Sequence, residues 1–153
     1  HIRMIIGLMA IIFCLDYYFR KDSDKPKKPS KFASYFWPSL SGFTSFSIHA
    51  GGLPLSFYLL PMRLDRTMYV ATAGLFYLLI NLFKIFPYAY LGEMNFENIY
   101  TSLLLLPLAP LGVYFGAYLV DKIGQDWFYK IGYFCTLLAG CKLFYDGSIK
   151  LFL

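Results

Sequence analysis

A cluster of hydroxyl, imidazole and glycine residues interrupts an otherwise apolar stretch near the middle of the chain. Its members are Thr44, Ser45, Ser47, His49, Gly51, Gly52 and Pro54. Two glycines cost a helix interior roughly 2 kcal/mol relative to two alanines, and proline lacks an amide hydrogen, so the helix is expected to break here. The arm after the break would expose backbone amides and the positive end of its dipole, which favour an anion. The cluster therefore predicts an anion site, with the hydroxyl and imidazole groups as further donors.

The same residues also have a purely structural interpretation. Small residues and hydroxyls let helices pack closely, and a histidine in a membrane can bond to a neighbouring carbonyl. An intramembrane hydrolase using Ser45 or Ser47 with His49 is not favoured, because such close helical spacing rarely aligns a nucleophile with its base. The two histidines and three cysteines are scattered, so the sequence predicts no metal site, no cofactor and no enzymatic activity.

The composition places this cluster in a membrane. Of the 153 residues, 58% are hydrophobic and 15% are charged, whereas a soluble domain carries about a quarter charged residues. Four apolar runs are long enough to span a bilayer, at residues 4–19, 67–89, 99–120 and 128–145. A fifth run, at residues 35–61, contains the cluster. We therefore predict an all-α polytopic transmembrane protein with about four spanning helices plus one broken or re-entrant helical hairpin.

A basic loop at residues 20–34 indicates which side of the membrane the loop occupies. It holds six of the fourteen basic residues, and the positive-inside rule places such a loop in the cytoplasm. The net charge of +5 does not indicate a nucleic-acid partner, because no aromatic platform for bases accompanies the lysines. The charge instead predicts contact with the lipid bilayer, including its phospholipid headgroups.

Two arrangements of residues 35–61 fit the hydropathy. If arms 35–48 and 54–60 form a re-entrant hairpin, Arg63 and Arg66 lie on the side of the basic loop, opposite the acidic loop that contains Glu93 and Glu97. If the segment crosses the membrane, the two arginines are left on the outer side. The positive-inside rule favours re-entry.

A second polar face is predicted on the run 67–89. Gly74, Tyr77, Asn81, Lys84 and Tyr88 recur at spacings of three and four, so they share one face of a helix. That face must avoid lipid, and Asn81 and Lys84 are predicted to face the hairpin across a cavity. Lys84 has an alternative role, since it lies near the end of its span and can extend to the membrane surface. In the next run, the G-x-x-x-G pair at 112 and 116 predicts close helix packing.

Several stretches resemble the sulfite exporter TauE/SafE family. The main stretch is GFTSFSIHAGGLPLSFYLLP at residues 42–61, followed by RLDR at 63–66. The likeness continues through NLFK at 81–84, LLLLPLAPL at 103–111 and AGCKL at 139–143. It covers the chain from about residue 38 to 147. One departure is local, since this chain has Leu53-Pro54 where relatives often have two consecutive prolines.

The resemblance implies a function and a set of partners. It implies a multi-pass protein of the cell inner membrane that exports or takes up sulfite, sulfonates or other small sulfur-containing anions. Residues 1–153 would form a single membrane domain resembling the C-terminal half of a two-repeat transporter. The complementary half would lie upstream of residue 1 or on a second subunit, and homo-oligomers remain open. The alternative is a non-transporting membrane subunit whose hairpin only packs against a partner.

Overall fold

The computed structural model describes residues 2–19, 25–92 and 96–152, and over these residues the chain is helical with no strand. The helices are α1 (Ile2–Phe19), α2 (Lys31–Ile48), α3 (Gly52–Leu59), α4 (Arg66–Tyr90), α5 (Phe96–Leu105), α6 (Leu108–Lys122) and α7 (Gln125–Phe152), and a 3₁₀ turn at Leu60–Met62 extends α3. Glu93 and residues 20–24 of the basic loop lie outside the described residues. The all-α class predicted from the sequence is confirmed.

Two of the described helices, α1 and α4, combine the length and hydropathy of a membrane span. The predicted span 128–145 lies within the longer helix α7. The predicted span 99–120 is divided between α5 and α6, with turns at Leu106 and Pro107. Length and hydropathy thus support two of the four predicted spans.

The chain divides into two compact units. The first unit contains His1–Asp65 and Gln125–Leu153, and the second contains Arg66–Gly124. In the first unit, α1 packs closely along α7 at glycines. A Cβ atom on Gly7 would lie 2.5 Å from the backbone nitrogen of Phe144, and one on Gly140 would lie 2.6 Å from the Cβ of Ala10. Glycine is therefore required at this helix crossing, because a larger residue would push the two backbones apart.

Helix α3 completes the core of the first unit. Leu53 and Phe57 on α3 are buried together with Ile6 and Ala10 on α1. The Phe57 ring contacts both Phe13 on α1, at 4.9 Å between centroids, and Trp37 on α2, at 5.2 Å. Helix α3 is thus packed against both α1 and α2.

The second unit is more open. Helix α6 has no buried residue, and nothing lies within 4 Å of a Cβ atom built on Gly74, Gly112 or Gly116. The unit is tied at its ends by Arg66, whose guanidinium donates a hydrogen bond to the Ile123 carbonyl. The close packing predicted for the glycine pair at 112 and 116 is not made within the described residues.

Candidate site at the hairpin tip

Helices α2 and α3 form an antiparallel hairpin. Three contacts join them along its length. The Tyr58 hydroxyl donates to Ser34 Oγ at 3.2 Å, the rings of Trp37 and Phe57 contact each other, and Ser41 Oγ donates to the Gly51 carbonyl at 2.6 Å. The contacting residues of the first arm come in rising order (34, 37, 41), and the residues that they contact come in falling order (58, 57, 51). The chain therefore turns back at residues 49–51, so the broken segment forms a helical hairpin.

The turn is formed by a left-handed residue and a glycine. His49 ends α2 with φ 55° and ψ 27°, and its amide donates to the Thr44 carbonyl. The Ala50 amide donates to the same carbonyl at 3.2 Å. Helix α3 then begins at Gly52, with Pro54 in its first turn, where the missing amide hydrogen breaks no helical bond. The predicted end of the first arm at residue 48 is confirmed, and the second arm begins two residues earlier than predicted.

One side of the tip is a buried polar seam between the arms. Gly51 lies so close to α2 that a Cβ atom would be 2.6 Å from the Cβ of Ser45 and 2.7 Å from the Ser41 carbonyl oxygen. Thr44 is fully buried, and its hydroxyl donates to the carbonyls of Leu40 and Ser41. Ser41, Ser45 and Gly51 thus hold the two arms together, whereas the Thr44 hydroxyl bonds within α2.

The other side of the tip is exposed. Ser47, His49 and Gly52 are all exposed. The amides of Gly52 and Leu53 belong to the first turn of α3, where amides have no acceptor within the helix. Pro54 is buried beneath this turn. The structure therefore separates the predicted site residues into a seam that fixes the turn and a surface on which a ligand can approach backbone amides.

Asn81 and Lys84 belong to α4, in the second unit. Asn81 is exposed, whereas Lys84 is 9% exposed. Lys84 is thus the more buried of the two, although its place near the helix end suggested a surface role. Their position opposite the hairpin stays a prediction, because they lie in a different unit.

The base of the hairpin, where its two ends meet, is fixed by contacts that the sequence did not reveal. The Lys27 amide donates to the Pro61 carbonyl at 2.9 Å, which joins the segment before α2 to the 3₁₀ turn. The Leu64 carbonyl accepts hydrogen bonds from Gln125 Nε2 at 2.6 Å and from the Tyr129 hydroxyl at 2.7 Å. The hairpin therefore begins and ends at the same end of the first unit.

Arg63 is the central residue of this base. Its side chain is 8% exposed, and its guanidinium donates to the Tyr17 hydroxyl at 3.1 Å. The guanidinium carbon lies 4.8 Å from the Tyr129 ring centroid, and Nη1 lies 3.7 Å from Asp126. Arg63 adopts a left-handed backbone conformation, with φ 50°. It thus joins the hairpin to both α1 and α7.

Within the described residues, no group of three or more histidine, cysteine, aspartate or glutamate side chains is arranged to hold an ion. The polar groups at the hairpin tip are backbone amides, hydroxyls and one imidazole.

An all-helical apolar chain with a broken helix, whose tip exposes amides, has the architecture of a membrane transporter. The model of the sulfite exporter TauE/SafE family matches residues 1–143, so the chain belongs to that family. The match extends the resemblance seen from about residue 38 back through α1. Proteins of this family are transporters integral to the membrane. No curated protein and no solved structure matches the chain.

Proposed function

We propose that the chain is part of a secondary carrier that moves a small sulfur-containing anion, such as sulfite or an organosulfonate, across the cell inner membrane. The observation that carries this proposal is the exposed Gly52 at the start of α3, directly before the buried residues Leu53 and Pro54. Broken helices of this kind bind substrates near the bilayer midplane in other secondary transporters.

The anion would bind at the exposed side of the tip. Its oxygens would accept hydrogen bonds from the amides of Gly52 and Leu53, which lie at the positive end of α3. Gly52 has no side chain to block this approach, and His49 lies beside it in an exposed position. Ser45 would act indirectly, by holding Gly51 in the seam. Thr44 would act through its carbonyl, which accepts the His49 and Ala50 amides of the turn. Alternating access would then expose the tip to each side of the membrane in turn.

Asn81 and Lys84 would complete the site from α4. Lys84 is 9% exposed, and its positive charge would favour an anion. Asn81 lies about one helical turn away on the same face and would supply an amide donor.

The base of the hairpin supports a re-entrant orientation. Lys27 and Pro61 meet at 2.9 Å, so the segment between them makes no net crossing of the first unit. With loop 20–34 in the cytoplasm, both ends of the hairpin would lie on the cytoplasmic side, and the tip would reach towards the bilayer centre.

The first experiment measures sulfite flux in proteoliposomes containing the Gly52→Leu variant. We expect flux to be lost, because the leucine side chain covers the amides, while membrane insertion and Tm stay near those of the unmodified chain. Gly124→Leu is the matched control, since Gly124 is an exposed glycine directly before α7 with nothing within 4 Å of its Cβ position. Normal flux in Gly52→Leu would contradict the proposed site.

A companion experiment scans Tm against sulfite, sulfate, thiosulfate, taurine and chloride at fixed ionic strength. A ligand at a hundredfold excess over its Kd stabilises the folded state by about 2.7 kcal/mol. We expect one sulfur anion to raise Tm, and His49→Gly to reduce this rise. Glycine adopts the left-handed conformation of residue 49 without strain, so this variant removes the imidazole without disturbing the turn. If no anion raises Tm and a second polypeptide copurifies, the chain is a non-transporting subunit.

A further inference from the structure

A small charged pocket lies at the base of the hairpin, at the other end of α2 and α3 from the proposed substrate site. Lys25, Lys27 and Asp16 line it. Two ammonium groups and one carboxylate leave a net charge of about +1 at neutral pH. The pocket therefore matches a ligand group with a single negative charge.

The remaining wall of the pocket is aromatic and apolar. Tyr17 and Tyr133 stack at 3.5 Å between centroids, and Phe13 lies 5.5 Å from the Tyr133 ring. All three line the pocket together with Pro61. Tyrosines are characteristic of the level at which lipid headgroups meet the hydrocarbon. This wall suits a ligand whose charged group continues into apolar material.

The size of the pocket limits what can enter it. Its enclosed volume is about 20 Å³, and it opens to the surface. A cavity of this size holds about one water-sized group. It therefore admits the oxygens of a charged group while the rest of the ligand stays outside.

The pocket is built from the hairpin base itself. The Lys27 amide donates to the Pro61 carbonyl, and the Tyr17 hydroxyl accepts a hydrogen bond from Arg63. A ligand that bridges the two lysines and the aromatic wall would strengthen these contacts. Its binding should therefore be visible as an increase in the thermal stability of the chain.

We propose that this pocket binds the phosphate of an anionic membrane phospholipid, with Lys25 and Lys27 contacting its non-bridging oxygens. A phosphodiester carries one negative charge, which matches the net charge of the pocket. Its glycerol and acyl chains would stay outside the pocket and continue away from its aromatic lining. Basic pockets between membrane helices on the cytoplasmic side are typical sites for such headgroups. Inorganic phosphate and sulfate carry more charge and have no apolar part for the wall.

The test compares two double variants of the full chain in nanodiscs. Lys25→Gln with Lys27→Gln removes the pocket ammoniums. Lys28→Gln with Lys31→Gln removes the same charge from exposed lysines of the same segment that do not line the pocket. We expect phosphatidylglycerol, compared with phosphatidylcholine alone, to raise Tm by about 3 °C in the unmodified chain and in the control pair. The rise should be absent from the pocket pair.

Three outcomes would overturn the proposal. An equal loss of the rise in both pairs would mean that the lipid acts only through the general charge of the segment. An undiminished rise in the pocket pair would place the lipid elsewhere. An equal rise from inorganic phosphate or glycerol phosphate in detergent, lost in the pocket pair, would identify a site for free anions. Tm in phosphatidylcholine alone reports whether each variant is folded, and native mass spectrometry of the retained lipid gives a second readout.

Discussion

The two units of the chain use glycine in opposite ways. In the first unit, Cβ atoms on Gly7, Gly51 and Gly140 would lie within 2.7 Å of atoms in a neighbouring helix. In the second unit, those on Gly112 and Gly116 would meet nothing within 4 Å. The sequence pattern is similar, with small residues spaced along apolar helices, yet the first set is packed against protein and the second is open.

This difference shows which of the two units packs closely against its own helices. The first unit packs helix against helix closely enough to bury a broken backbone and an arginine. The second unit exposes large apolar side chains along α4 and α6, including Leu75, Leu78 and Val113. Such surfaces need lipid or another protein helix to cover them. A small-residue pattern therefore predicts the capacity for close packing but does not identify the partner.

The largest effect is expected from Gly7→Leu. The new side chain would meet the backbone of α7 at Phe144, which cannot move aside as a flexible side chain can, so we expect the folded chain to be lost in detergent. Gly116→Leu is the matched substitution in the second unit, and it should leave Tm unchanged or slightly higher because leucine favours a helix over glycine. Size-exclusion profiles and thermal scans measure both. A similar loss in Gly116→Leu would show that another helix packs on α6.

A smaller effect is expected from Gly51→Ala. Gly51 has φ −62°, which alanine adopts freely, so the substitution tests only the contacts with Ser45 and Ser41. Overpacking should lower the free energy of unfolding by about 3 kcal/mol. Gly112→Ala, which adds the same methyl group in the second unit, should not lower it. If Gly51→Ala has the stability of the unmodified chain, the seam does not hold the hairpin turn.

The smallest effect concerns cations over aromatic rings. Arg63 lies over Tyr129 in the first unit, and Lys122 lies 4.8 Å from the Tyr118 ring centroid in the second. Because Arg63 is 8% exposed and Lys122 is exposed, Arg63→Gln should lower stability by about 2 kcal/mol and Lys122→Gln by less than about 1 kcal/mol. Thermal unfolding of both variants gives the comparison. Equal losses would show that burial does not strengthen the Arg63 contacts.

The helix break at the hairpin was predictable because its causes are local. Gly51, Gly52 and Pro54 each weaken a helix through their own backbone chemistry, and no distant residue is needed to place the break. The start of α3 at Gly52 was less predictable, since glycine tolerates many conformations and the contacts of the preceding Gly51 with Ser41 and Ser45 fix the turn.

The break between α5 and α6 was missed for a related reason. Pro38 and Pro87 lie inside α2 and α4 without ending them, so one proline does not define a helix end. Pro107 and Pro110 lie three residues apart and remove two amide donors from about one turn. The Leu106 and Ala109 amides donate to the carbonyls of Leu103 and Leu106, three residues earlier, as in a turn. The spacing of the two prolines was the available signal.

The residues that anchor the hairpin base could not be predicted from one sequence. Arg63 meets Tyr17 and Tyr129, which lie 46 and 66 positions away along the chain. No local pattern distinguishes it from Arg66, three residues further on. Ser41, by contrast, could have been predicted from the sequence. It lies three and four positions before Thr44 and Ser45, a spacing that places all three on one helix face.

The meeting of Lys27 and Pro61 at 2.9 Å has a consequence for topology assignment. A hydropathy plot counts the apolar segment between them as one membrane crossing. Since its two ends lie together, the segment in the proposed re-entrant orientation would make no net crossing, and the chain would leave it on the side from which it entered. Under that proposal, a count of spans based on apolar length alone would reverse the orientation assigned to every later helix.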